Sequence, residues 1–576
     1  MSNSLSPEKK LQALAASRMK LTAPAYSRAT LIMGCGVQER SEGSYIYDQN
    51  GRRFLDLFDA YGNQSFGYGH PRILAALRRQ IDSGHTNSCK IFFEEGPTRV
   101  GEALAALTNG ALSCSFLTNG GAEAIDGVLK LARAHTRRPR FVTTENAYHG
   151  KTFAALSAAC RPEYEKMFAP MMPQFQAVPF GDIDAMEKAI DDQTAAVLLE
   201  PIQAEGGIVV PDDEYFPRLR QLCTERGALL ICDETQTGFG RTGRFFGFEH
   251  FGIVPDLISI GKSFGGGMLP IAAILCREEY WTPFRVAPLS FGSSLGGNPL
   301  ACAVGLETLA MASDPEFLAD IRRKGDYVGE RLHAIAKAYP QLVAEVRGKG
   351  LLWGVKLYDD AVGGLLIRQL FERGAISTFC LFDSCVFRIE PPLIITADQL
   401  RDGLDALEEA FDVTAAYVGL LPKNALGASH VEQTLDFAAD VKTVWAELSD
   451  PERLYRFSPL VTGFKPAGSV AFACDGRIDD IGLEWTDTIE VDPVRQSIVQ
   501  RATGGFWNGF VRHWTIEPSG QGSRVTLRIE WSVGAATFER MLSLRIRYSL
   551  EKAVLNSLSD LTNALHRIRP VVTVGT

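Results

Sequence analysis

The sequence predicts an α/β fold built on a mostly parallel sheet, with a smaller α+β lobe and a separate β-rich unit after it. Three observations carry this expectation. Between about residues 70 and 310, short apolar runs alternate with amphipathic helical stretches, the pattern of βα units around a buried parallel sheet. Beyond about residue 429 the helical stretches give way to closely spaced strand patterns. Two of the apolar runs end in an acid and a lysine, Asp233 and Lys262. Open α/β sheets bind ligands beyond the carboxyl ends of their strands.

Residues 1–60 form an arm: a short helix, then the hairpin-like GSYIYDQNGRRFLDL, where Asn50-Gly51 is a strong turn signal. Residues 61–315 form the large domain. PRILAALRRQI and GAEAIDGVLKLARAHT have amphipathic helical spacing, whereas FVTTE, AAVLLEP, ALLICDE and LISIGK are short β-branched runs and read as strands. Glu200, Asp233 and Lys262 lie at the ends of three of these runs. Residues 316–415 change to helix, strands and helix, which suits a smaller α+β lobe completed by part of the arm. Residues 416–428 lack periodicity and read as a linker. Residues 429–570 form the last domain. HVEQTLDF alternates, a helix pair breaks at Pro451, five strand patterns follow, and a final helix runs from about Phe538 to Ile568.

Composition narrows the function. The chain has 576 residues, 46% of them apolar and 22% charged, enough for two to four ordinary folded domains. A net charge of −9, with no Lys/Arg-rich run, argues against a nucleic-acid surface. The eleven cysteines are scattered, without the spacing of a metal site, and several sit in apolar runs as reduced core thiols. No stretch reaches the roughly 18 continuous apolar residues of a membrane span. A cytoplasmic enzyme with neither a nucleic-acid nor a membrane partner is expected.

The chemistry concentrates in LLICDETQTGFG and DLISIGKSFGGG. The first strand delivers Asp233, with Gln236 three positions on; the second delivers Lys262 ahead of a glycine cluster. A buried carboxylate and a lysine at neighbouring strand ends suit pyridoxal 5'-phosphate: the lysine forms a Schiff base, and the carboxylate keeps the pyridinium nitrogen protonated. A nucleotide-binding loop competes for the same residues, because GKS follows an apolar run. That motif needs a glycine where Asp256 stands, so it fails. Upstream, Asn119, Gly120 and Gly121 lead straight into a helix, whose N-terminus offers free N–H groups to a phosphate. Tyr148, in NAYHGKT, could stack on a ring. Ser293 and Ser294 precede another glycine pair and could reach a phosphate.

These motifs, with KTFAALSA, FAPMMPQFQAVPFG, LLEPIQAEGGIVVP, DETQTGFGRTG and FRIEPPLIIT, resemble the class III (ornithine/ω-amino) aminotransferases of pyridoxal-phosphate fold type I, most of all the putrescine aminotransferases. The resemblance covers about residues 30–415. It implies that Lys262 is the Schiff-base lysine and proton shuttle, that Asp233 pairs with the pyridinium, and that Gln236 bonds the phenolic oxygen. Gly120 stands where serine is common. Gly121 and Ala122 would supply phosphate-binding N–H groups, Tyr148 would stack on the ring, and Ser294 would reach the phosphate of a neighbouring subunit in a homodimer. Arg388 would clamp a substrate carboxylate, with Glu205 pairing with it when the substrate has none. No metal is implied. The expected reaction is ping-pong amino transfer from a primary amine, ω-amino or amino-acid donor to an aldehyde, ketone or 2-oxo acid. The apolar stretch STFCLFDSC hints at a bulkier substrate.

Residues 429–570 resemble the START-type, polyketide cyclase-like helix-grip domains. Trp445, Trp485, Phe506, Trp507 and Trp514 could line a cavity there, or simply form core. The fusion suggests a biosynthetic, secondary-metabolite role, in which this domain binds or cyclises a hydrophobic or carrier-bound intermediate. Two alternatives stay open: a hydrophobic-ligand-binding protein with an inactive aminotransferase half, and a pyridoxal-phosphate decarboxylase or aminomutase.

Overall fold

The computed structural model describes residues 6–421 and most of 430–561, leaving out 459–460, 468–469, 479–480, 504–508, 521, 533–541, 552 and 555–559. Phe506 and Trp507 therefore lie outside the described residues, as do most of the proposed linker and much of the proposed last helix.

The large domain is built on seven strands: β1 (Cys114–Thr118), β2 (Arg140–Thr144), β3 (Phe175–Val178), β4 (Thr194–Leu199), β5 (Leu229–Asp233), β6 (Leu257–Ile260) and β7 (Ala272–Cys276). They lie in the order β1-β7-β6-β5-β4-β2-β3. β2 to β6 pair in parallel, and β7 alone runs against both its neighbours. β4 and β5 are buried at every position, which explains their unbroken apolar runs: helices cover both faces. Alternate residues feed two cores. Val197, Leu199, Leu230 and Cys232 pack on one side with the helix Tyr215–Arg226. Ala196, Leu198, Leu229 and Ile231 pack on the other with the helix Gly121–Thr136.

The smaller lobe pairs Val343–Lys349, Leu352–Leu357 and Val386–Ile389 in an antiparallel sheet. Helices Pro315–Ala338, Asp360–Glu372 and Ala397–Gly419 complete it. The arm joins this lobe: its hairpin strand Arg53–Asp56 pairs in parallel with Ala375–Ile376. The hairpin turns at Gly51, with φ 78°. The arm also holds a second helix, Pro24–Ile32, that the sequence reading passed over.

The helix Ala397–Gly419 runs past residue 415 into the stretch expected to be linker. Tyr417 donates to Glu551 Oε2 at 2.6 Å, and its ring meets Tyr548 edge-on. That extra turn is therefore held by the last domain, whose contribution local periodicity does not contain.

The last domain is one antiparallel sheet of seven strands, running in order from His430–Phe437 through Gly522–Glu530, Val511–Ser519, Ser497–Thr503, Ile481–Asp492 and Ala471–Ile478 to Val461–Pro466. Five of these match the strand patterns read after Pro451, and Val461–Pro466 is additional. Alternating burial along Ser497–Thr503 and Val511–Ser519 gives the sheet one buried face. Helices Val441–Leu448 and Pro451–Phe457, and residues 542–550, lie with that face. Trp485 and Trp514 are buried in its core, Trp445 is half-buried, and Ala29 and Leu31 of the arm join it. Among the described residues no helix is long and apolar enough to cross a membrane.

Candidate active site

A cavity of about 390 Å³ opens at the carboxyl ends of β4, β5 and β6. Its lining includes Asn119, Gly120, Gly121, Ala122, Tyr148, His149, Glu200, Asp233, Gln236 and Lys262. The chain thus brings seven of the expected cofactor residues, spread from 120 to 262, to one place. Ser294 is exposed and does not line it. Arg388 and Glu205 sit behind it, tied in through Glu390 and Gln236.

Asp233 ends β5 and is buried. Its Oδ2 lies 2.9 Å from His149 Nδ1, and its Oδ1 accepts from Ser259 Oγ at 2.9 Å and from the Thr235 amide at 3.1 Å. Burial alone would push this carboxyl up. The His149 bond and charge, with the bonds from Thr235, outweigh it, and the net shift is down. Asp233 is thereby held as a carboxylate. His149 is a functional residue that sequence reading left without a role. Its position beside Tyr148 was the only signal.

Lys262 follows β6 and takes φ 45° in a one-turn helix ahead of the glycine cluster. A non-glycine residue in this region is strained, and such strain persists where the surrounding structure imposes it. The ammonium donates to Gln236 Oε1. Burial lowers the Lys262 pKa; Glu205 and Glu390 oppose this, and the net shift remains downward.

Glu200 is buried at the end of β4 and accepts the amides of Tyr148 and Ala204, each at 3.2 Å. Burial raises its pKa to about 7, although His149 opposes the shift. Arg388 is fully buried between two carboxylates, donating to Glu205 Oε1 at 2.7 Å and to Glu390 Oε2 at 3.0 Å. Glu390, also absent from the sequence reading, donates its own amide to the Leu57 carbonyl at 2.8 Å.

The cavity fits pyridoxal phosphate. Gly121 opens the helix Gly121–Thr136, where the first amides have no acceptor in their own helix. A Cβ on Gly121 would come within 3.1 Å of Thr235 Cγ2, so glycine keeps this cradle open. Asp233 presents a buried anion, Lys262 a buried amine, and the volume suits a small ring with a phosphate.

The comparisons with known proteins agree. The profile of the aminotransferase class-III family matches residues 26–411.

This chain belongs to the class III aminotransferases.

It is 38% identical over 399 residues to the putrescine aminotransferase of Pectobacterium atrosepticum, a match covering 67% of this chain and 84% of that protein. The ornithine aminotransferase of Toxoplasma gondii superimposes with a TM-score of 0.66 at 30% identity, over 72% of this chain and 97% of the other. A transaminase from the marine bacterium Virgibacillus gives 0.63 at 27%, over 66% and 94%. The profile of the polyketide cyclase/dehydrase and lipid transport family matches residues 437–558, consistent with the antiparallel sheet found there. The chain is therefore a pyridoxal-phosphate-dependent aminotransferase of fold type I, acting on an amine donor and an oxo acceptor, with a START-like domain at its carboxyl end.

Proposed function

We propose that this aminotransferase takes the amino group from a primary amine of the diamine or ω-amino class and delivers it to a 2-oxo acid or another oxo compound in a biosynthetic pathway. The observation that carries this reading is the convergence of Lys262, Asp233 and Gln236 on the cavity at the mouth of the helix Gly121–Thr136, with the Arg388–Glu205 pair linked behind it.

Pyridoxal phosphate, when bound, supplies an electron sink for the bond broken at the donor carbon. The chain's own groups do the rest. The amides of Gly121 and Ala122, beside Gly120, receive the phosphate, and Ser294 from a second copy adds a hydroxyl. Tyr148, which lines the cavity, would hold one face of the ring. Asp233 would hold the proton on the ring nitrogen, and Gln236 would hold the phenolic oxygen. Lys262 Nζ would hold and move the proton of the donor carbon during the transfer. Burial, which lowers its pKa, favours the neutral amine that this step requires. Arg388 receives the carboxylate of an acid substrate, and Glu205 takes the guanidinium back when an amine without a carboxylate enters. Two half-reactions at one site give ping-pong kinetics.

A homodimer belongs to this proposal. Ile91, Phe92, Phe93, Leu289 and Leu295 are exposed. Lys90 donates to the Gly296 carbonyl at 2.6 Å, so the two segments meet. Apolar surface of this kind marks a protein contact, and it flanks Ser294. The START-like domain is proposed to bind or cyclise a hydrophobic or carrier-bound intermediate. The family match and the apolar inner face of its sheet support this.

An absorbance spectrum tests the central reading. Wild-type protein with added cofactor should show a near-visible band that collapses with one donor among putrescine, ornithine, glutamate, alanine and a long-chain amine. Lys262→Ala should lack that band. A wild type with no band even under excess cofactor would sink the proposal.

A further inference from the structure

We propose that Glu390 is a specificity-determining residue, a second carboxylate on Arg388 that tilts the site toward donors bearing a second ammonium and against acids. The inference rests on the reading of Arg388 as the carboxylate clamp. Glu390 follows Arg388 by two positions at the end of the strand Val386–Ile389, so the pleat puts both side chains on one face. Its Oε2 accepts from Arg388 Nη1 at 3.0 Å, and its Oε1 accepts from Gln236 Nε2 at 2.6 Å. Glu205 Oε1 takes Arg388 Nη2 at 2.7 Å, and Arg388 Nε is buried without an acceptor.

The two carboxylates differ in how firmly they are held. Glu205 spends one oxygen on Arg388 and the other on the Leu381 amide, at 2.8 Å. Glu390 spends both oxygens on side chains, and its amide is tied to the Leu57 carbonyl. Arg241 Nε stands 3.8 Å from Oε1 on another side. Gly62, at φ 80°, closes over the group, and a Cβ there would lie 2.9 Å from Oε1. Each carboxylate makes two hydrogen bonds, but Glu390 is in addition packed beneath Gly62 and faces Arg241, which fixes it more firmly than Glu205.

An acid that displaces Glu205 gains Nη2 and the unpartnered Nε, but it meets a guanidinium whose charge Glu390 already balances. A substrate ending in an ammonium meets Glu205, which is free to turn to it because Glu390 keeps Arg388 paired; the nearby Arg241 is itself paired with Asp59. A strong ionic hydrogen bond needs opposite charge on its partner. Glu390 lowers that charge for acids and leaves the Glu205 carboxylate available to cations.

The test uses holoenzyme and Glu390→Gln, which keeps the shape and removes the charge. With 2-oxoglutarate as the acid and putrescine as the diamine, KM should fall about tenfold for the first and rise about tenfold for the second. Each is a change of about 1.4 kcal/mol. Glutarate, which cannot react, should bind E390Q about tenfold more tightly, read from its perturbation of the cofactor band. Glu390→Ser gives the same readings should E390Q fail to fold. A merely structural role would move both KM values in one direction, or shift only the melting temperature. Unchanged glutarate affinity and an unchanged KM ratio, in a variant that retains its cofactor band, would overturn the inference while leaving the aminotransferase reading intact. A wild type with neither band nor turnover would remove both.

Discussion

Replacing His149 by phenylalanine tests how Asp233 is kept charged. The substitution preserves a flat ring and removes one of the three donors on a buried carboxylate. A hydrogen bond to a charged group contributes roughly 1.5–3 kcal/mol, so His149→Phe should destabilise the large domain by about 2 kcal/mol near neutral pH. The sign of the pH dependence is more specific. In the wild type the Asp233 carboxyl lies below its ordinary value of 3.8. Its contribution is therefore present above about pH 4 and is lost as pH falls through the lower folded value. Without His149, burial is no longer offset, and the folded value moves up. The stability gap between wild type and H149F should then be largest near pH 7 and shrink toward pH 4. Thermal unfolding at a series of pH values, on cofactor-free protein, measures it. His149→Asn, whose amide can keep a donor toward Oδ2, should recover part of the loss. The reasoning fails if the gap is independent of pH, or if H149F and H149N are equally destabilised.

Other expectations concern separate parts of the molecule. Burial lifts both Glu200 and Glu234 to about 7 from 4.5, so folded protein binds protons that unfolded protein releases. Stability should decline as pH rises from about 4.5 to about 7, by about 3 kcal/mol per group. Glu234→Gln should flatten that slope in melting curves, and an unchanged slope would contradict the assignment. Gly121→Val should raise the dissociation constant for pyridoxal phosphate at least tenfold in a cofactor titration, because even one methyl carbon meets Thr235 at 3.1–3.3 Å. Gly350→Ala combines φ 60° with a Cβ 2.4 Å from the Thr242 carbonyl carbon. It should cost about 3 kcal/mol or more, seen as a large fall in melting temperature without direct contact with the cavity.

Much of this protein follows from its sequence by local rules. The buried parallel strands announce themselves as unbroken apolar runs, because a strand covered on both faces has no polar side to alternate with. The hairpin at Asn50-Gly51 follows from the left-handed backbone that glycine permits. Lys262, Asp233, Gln236 and the Gly120–Ala122 turn are visible as residues placed at strand ends and at a helix start. Some strands carry a weaker signal. β3 (FQAV) and Val461–Pro466 (VTGFKP) break their apolar runs with polar residues, glycine or proline, and β1 (CSFLT) and β7 (AAILC) hold few β-branched residues. The antiparallel direction of β7 leaves no mark in composition at all.

Only the tertiary structure decides who meets whom. The sequence places Glu390 beside Arg388, but the bond from Gln236 to Glu390 spans 154 positions and exists because the small lobe docks against the ends of β5 and β6. His149 reaches Asp233 across 84 positions, and residue type alone does not reveal that pairing. Tyr417 extends its helix because Glu551 and Tyr548 of the last domain receive it. Periodicity and turn chemistry act over a few residues, so they specify elements and their buried faces. Charge pairing, burial and the pKa values that follow depend on distances through space, which the packed fold alone sets.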